Sequence, residues 1–246
     1  DKDMARSLKI KKVSAADLVC SKIKELVTNG TWATDQKIPS ESELADTFGV
    51  NRLTVRIALQ RLNALGILDT RVGEGTFVRS FDFSTHMAEI SDFYVNPQVL
   101  NDTQEYRTII ETAAVKLAIQ RQTPEILGKL KKCCDDFKTE VARYYQLDNQ
   151  EQKKECLEKT VDIGLDFHTT IFELSGNQLL QLAFSICKVP IRKHMLVNAL
   201  KRIDNPTGNK SSTWIKAYQG IYEAIKDKDE DLCFKHLQHM ISSSDH

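Results

Sequence analysis

The stretch Pro39–Gly66, PSESELADTFGVNRLTVRIALQRLNALG, narrows the fold more than any other part of the chain. Ser40, followed three residues later by Glu43, makes a capping box. Each side chain of such a pair satisfies a backbone N–H that the first helical turn leaves unpaired. Leu44 and Phe48, four apart, give that helix one apolar face. Gly49-Val50 supplies a tight turn, and Asn51 suits the N-cap of a second helix. In that helix Val55, Ala58, Leu59, Leu62 and Leu65 form the stripe expected to be buried, and Gly66 closes it from the left-handed region.

The flanks complete a small domain over residues 1–80. Upstream, Leu18, Val19, Ile23, Leu26 and Val27 fall on a helical stripe between a Ser14 cap and a Gly30 stop. Downstream, the β-prone runs ILDT and TFV bracket Arg71-Val72-Gly73-Glu74-Gly75, which predicts a hairpin with a flexible tip. Helix, helix–turn–helix, hairpin is the order of a winged helix–turn–helix. Its second helix carries Arg and Thr early and apolar residues later, as an element that enters a DNA major groove does. The charge agrees. Net charge is zero over the chain, but the first 80 residues hold three more basic than acidic side chains, and the rest three fewer.

Residues 81–100 read as a linker leading into a first helix, and 101–246 as an all-α bundle. Segments 103–121, 124–147, 151–175, 177–202, 211–226 and 229–243 each show apolar spacing of three to four residues. Pro124, Ser175-Gly176-Asn177 and Asn205-Pro206-Thr207-Gly208-Asn209 break them. The expected fold is mainly α, with one small β-hairpin. No apolar run approaches the roughly 18 residues that span a bilayer, and no apolar signal core opens the chain. The six cysteines show no Cys-x-x-Cys pair, so reduced thiols in a cytoplasmic protein are expected. No phosphate loop, dinucleotide fingerprint, Gly-x-Ser-x-Gly or zinc-hydrolase motif is present, and no catalysis is expected.

The stretch KIPSESELADTFGVNRLTVRIALQRLNALGILDTRVGEGTFV resembles the winged-helix domain of GntR-family bacterial transcription regulators. The rest looks like the helical FCD ligand-binding domain of the FadR subfamily. Arg107-Thr-Ile-Ile-Glu111, Asp166-Phe167-His168, Ser175-Gly176-Asn177 and Tyr222-Glu-Ala-Ile225 carry that likeness. The resemblance implies a ligand-responsive regulator, usually a repressor, that binds a palindromic operator as a homodimer. It places DNA contacts at Ser40, Glu41, Ser42, Asn51, Arg52, Thr54, Arg56, Arg71, Gly73 and Gly75. Arg52 and Arg56 are its strongest readers, four apart on one face. Ser42 stands where the family usually has Arg, and Leu53 where a small polar residue is common.

The implied effector is an organic acid or sugar acid held in the helical domain. Arg107, His168, Asn177, Arg192 and Tyr218 are its candidate contacts, since an anion in a helical cavity needs a cation or several donors. Many FCD domains also hold a divalent metal with one Asp and three His. Here His168 matches one ligand, Gly164 replaces the Asp, Tyr218 replaces a His, and His239 or His236 is the remaining choice. A metal at His168 and His239 is therefore an option, and no cofactor is required. His194 is expected on a polar helix face. Two other readings compete: a protein-interaction module that has lost DNA reading, motivated by Ser42 and Leu53, and a metal-dependent enzyme in the bundle.

Overall fold

The computed structural model describes residues 13–80, 83–203 and 210–242. The expected break at 205–209 lies outside them. The chain divides into two compact units, one ending at residue 82 and one beginning at residue 83.

In the first unit, α1 (Ala15–Thr28) precedes α2 (Glu41–Phe48) and α3 (Arg52–Ala64). The expected caps form. Ser14 and Asp17 make one capping box, Ser40 and Glu43 another, and Asn51 accepts from the Thr54 N–H. Gly49 ends α2 with φ +64°, a left-handed turn that a side chain would strain. The hairpin follows as β1 (Leu68–Arg71) and β2 (Gly75–Val78), antiparallel, with Leu68 opposite Val78 and Arg71 opposite Gly75. Residues 36–38 lie along β2, where Ile38 N–H donates to the Thr76 carbonyl and Val78 N–H to that of Gln36, each at 2.9 Å. Val19, Ile23, Ile38, Leu44, Val55, Leu62 and Leu68 make the core.

Two stripe residues are exposed instead, Leu18 at 61% and Leu65 at 45%. The buried line of α1 runs Ala16, Val19, Ile23, so Leu18 sits a quarter-turn away. Leu65 is already the C-cap, where α3 leaves the core.

The second unit holds nine helices among the described residues: α4 (Phe83–Glu89), α5 (Ser91–Tyr94), α6 (Pro97–Arg121), α7 (Pro124–Tyr144), α8 (Gln150–Leu174), α9 (Gln178–Ile186), α10 (Lys188–Ile203), α11 (Lys210–Asp227) and α12 (Glu230–Ile241). Two sequence expectations are corrected here. Residues 83–100 are largely helical, and α6 starts at Pro97, not 103. Asn96 caps it and Pro97 takes the first turn, a start signal six residues ahead of the spacing read from 103. The segment 177–202 is two helices that break at Cys187. The restart leaves Pro190 in the first turn of α10, where its missing N–H breaks no helical bond.

Helix α6 packs against α8, α10, α11 and α12. The core around it contains Phe137, Phe167, Trp214 and Tyr218, with the Phe137 and Tyr218 rings 4.2 Å apart. No helix among the described residues is long and apolar enough to cross a membrane.

Candidate functional site

In the winged unit Arg52 and Arg56, two of the three arginines of α3, are exposed and held from α2, while the third, Arg61, pairs with Asp17 of α1. Arg52 Nη2 donates to Ser42 Oγ at 2.6 Å. Arg56 grips the Glu41 carboxylate through Nε at 3.1 Å and Nη2 at 2.8 Å. The hydrogen bond from Arg56 holds the Glu41 carboxyl below the usual carboxylate range. Ser40, Asn51 and Thr54 sit at the helix starts as expected, but their oxygens serve caps: Ser40 Oγ with Glu43, and Asn51 Oδ1 with Thr54 N and Oγ1. At the wing, Arg71 lies 4.5 Å over the Phe77 ring and bonds Asp69 at 2.9 Å. Gly73 and Gly75 both have positive φ, and a side chain at 75 would strike Lys37. Leu53 is 63% exposed, so it belongs to the outer face of α3.

The helical unit is built around a buried cation. Arg107 is 2% exposed, and each terminus of its guanidinium has a partner. Nε donates to Glu111 Oε1 at 2.6 Å, Nη2 faces His168 Nε2 at 3.2 Å, and Nη1 faces His194 Nδ1 at 3.4 Å. A guanidinium only donates, so both histidine atoms must accept. The His168 proton therefore sits on Nδ1, 2.8 Å from Glu111 Oε2 but poorly aligned for a hydrogen bond. Burial opposes ionisation of Glu111, yet the Arg107 guanidinium above all, with the His168 ring beside the other oxygen, outweighs it and brings the carboxyl down to about 2. Burial, then Arg107, push His194 down to about 4, which keeps it a neutral acceptor. Its Nε2 then carries the proton; Asn198 Nδ2 stands 3.4 Å from it, and exchanging the two ends of that amide gives the proton an acceptor.

Tyr218 is 2% exposed and lies in the same core, its ring 6.0 Å from that of His168. Burial raises its phenol well above the ordinary value. A Cβ placed on Gly164 would run into the Tyr218 hydroxyl, so the phenol occupies the room that a side chain at 164 would need. Arg107, Asn198, Arg202, Trp214, Tyr218 and Met240 line a recess of about 10 Å³, room for about one water.

Three sequence expectations change. Asn177 is the N-cap of α9, its oxygen accepting from Leu179 and Leu180 N–H. Arg192 pairs with Asp162 at 2.6 and 3.0 Å on the surface. Neither lines the recess. His194, expected on a polar face, is half-buried against Arg107. The inward line Ile191, Met195, Asn198 of α10 carries it along the edge, and that three-to-four spacing was the available signal.

The donors do not fit the divalent metal of the family. His168 is 1% exposed with both nitrogens facing Glu111 and Arg107, and the guanidinium at 3.2 Å would repel a metal ion. His239 is exposed in the last turn of α12, and His236 packs over Gly220. Among the described residues no group of three or more His, Cys, Asp or Glu is placed to hold a metal.

A winged unit presenting oriented arginines, followed by a helical unit with a buried polar centre, defines a two-domain DNA-binding regulator. Residues 15–78 match the model of the family described as bacterial regulatory proteins, gntR family, and residues 102–243 that of the FCD domain. The chain is 24% identical over 242 residues to the HTH-type transcriptional repressor NanR of Klebsiella aerogenes, covering 97% of this chain and 86% of that one. A NanR from an Enterobacter species is 25% identical over the same shares. The solved structure of Streptococcus agalactiae GntR superposes with TM-score 0.68 at 22% identity, over 93% of this chain and 97% of that one, and it supports the fold. The chain belongs to the GntR family of transcription regulators, in its FadR-type group with an FCD domain. That family is one of regulators, not enzymes.

Proposed function

We propose that this protein is a transcriptional repressor that binds a palindromic operator as a homodimer and is released by a small organic or sugar acid. The observation that carries the reading is the exposed pair Arg52 and Arg56, each held from α2 at the start of the reading helix. A bidentate arginine–guanine contact supplies roughly 1–3 kcal/mol of discrimination, and orientation of the guanidinium is its main requirement. A two-fold protein axis calls for a two-fold operator, one winged unit per half-site. The repressor names of the relatives support the sign of regulation.

The effector reading rests on Arg107, a buried guanidinium whose charge suits a carboxylate without metal assistance. Such an effector acts through its different affinity for the DNA-bound and released forms of the dimer.

Selection of duplexes from a random pool tests the reading directly. A palindromic consensus is expected, with binding that weakens steeply as salt rises. Arg52→Ala and Arg56→Ala should each lose roughly tenfold or more on that consensus. A wild-type chain with no duplex preference at low salt would favour the protein-interaction module instead.

A further inference from the structure

Arg107 holds its partners unequally. Glu111 sits at 2.6 Å in a charge-assisted bond, whereas neutral His194 sits at 3.4 Å, at the outer edge of hydrogen bonding. The far nitrogen of His194 makes an equally long 3.4 Å contact with Asn198. The least firmly held atom of the guanidinium, Nη1, is thus covered by a loosely held side chain.

That side chain borders an open groove of about 390 Å³ between the start of α6 and the second half of α10. Pro97, Leu100 and Gln104 form one wall, with His194, Val197 and Lys201 on the other. Asn198, 6% exposed, lines both this groove and the inner recess that Arg107 lines. His194 and Asn198 are therefore the partition between groove and cation. The groove's electrostatics favour an anion. Lys201 stands exposed on its rim, the first turn of α6 opens on it, and no carboxylate is among its described lining residues.

We propose that a small carboxylate enters through this groove, displaces His194 from Arg107 Nη1 and takes its place, with the Asn198 amide turned onto its second oxygen. The inference rests on the effector reading above and adds a route and a gate. Charge balance gives it a signature. Arg107 and Glu111 together are neutral, so the arriving carboxylate brings an unmatched negative charge. Once displaced, His194 no longer sits against Arg107 and can take up a proton that offsets that charge. The groups acting on His194 are Arg107 and Glu111 from α6 and Lys201 and Arg202 on its own helix, and His168 of α8 bonds the same guanidinium. Burial first, and then these cations, keep the ring neutral until the anion arrives. Affinity therefore rises on acidification, by up to about tenfold per pH unit for one proton.

The test uses the full chain with labelled histidine rings, and acetate, pyruvate and citrate as probes against chloride at equal ionic strength. Comparison with His194→Gln assigns the His194 signals. The expected result is that a carboxylate moves the His194 ring nitrogens toward the protonated pattern, and binds more tightly as pH falls. Val197→Trp, which narrows the groove from a position 45% exposed, should slow association at least about tenfold, with an unchanged melting temperature as the check on folding. Carboxylate binding seen by Trp214 fluorescence in a Trp32→Phe background, with His194 unmoved, would overturn the gate and leave the effector reading standing. So would an association rate that Val197→Trp does not change. Probes that alter neither the helical unit nor duplex binding overturn both.

Discussion

At the scale of residues, Ser42 and Glu41 tie α2 to Arg52 and Arg56, two of the three arginines of α3. An exposed ion pair such as Glu41–Arg56 contributes about 0–1 kcal/mol to stability, so its value lies in aiming the guanidinium. Glu41→Gln and Ser42→Ala should leave melting nearly unchanged but reduce discrimination between consensus and single-base variants several-fold, measured by competition binding. Loss of all affinity, or unchanged discrimination, would show that the contacts do something else. Arg107 behaves differently because it is buried. Arg107→Ala strands the Glu111 carboxylate without its main cation, and should destabilise the helical unit by about 3–5 kcal/mol in denaturant melts. The arginines were legible in the sequence because a four-residue spacing puts them on one helix face. The role of Ser42 was not, since its bond to Arg52 spans ten residues and a turn.

At the scale of elements, the helix starts were the most legible features. Ser40 with Glu43 and Asn51 with Thr54 cap where local chemistry says they should, because a cap depends on neighbours two to three residues away. The start of α6 is the less legible one, because the polar run 101–105 separates Val99 and Leu100 from the apolar spacing farther on, although Asn96-Pro97 is a complete start signal. Asn177 shows how a site residue and a structural one look alike in sequence. With its oxygen accepting two N–H groups of α9, Asn177→Ala should cost about 1 kcal/mol of stability without changing effector response. A changed response at unchanged stability would return Asn177 to the ligand site.

At the scale of the whole molecule, the two-unit layout follows from a change of texture along the chain, from capped short helices and a glycine hairpin to long helical periodicity. The polar centre of the second unit did not follow, because His194 meets Arg107, and Asn198 joins the same recess, only when α10 packs on α6. That centre makes the helical unit acid-sensitive in two windows. His194 titrates at about 4 in the folded chain against 6.5 ordinarily, so the unfolded chain takes up the proton first. Stability is full above about 6.5 and falls by on the order of 2–3 kcal/mol by about pH 4. Glu111, at about 2 against 4.5, contributes stability above about 4.5 that is lost as pH falls through about 2. Melting temperatures across pH should decline in both windows, and His194→Gln should flatten the first. A flat wild-type profile between pH 6.5 and 4 would contradict a neutral, buried His194.

The phenol of Tyr218 and the bare backbone at Gly164 draw on a single parcel of space. Evolution cannot enlarge one without shrinking the other, so descendants of this chain must trade the two in step. Wherever a lineage places a side chain at the first position, the tyrosine should be gone from the second.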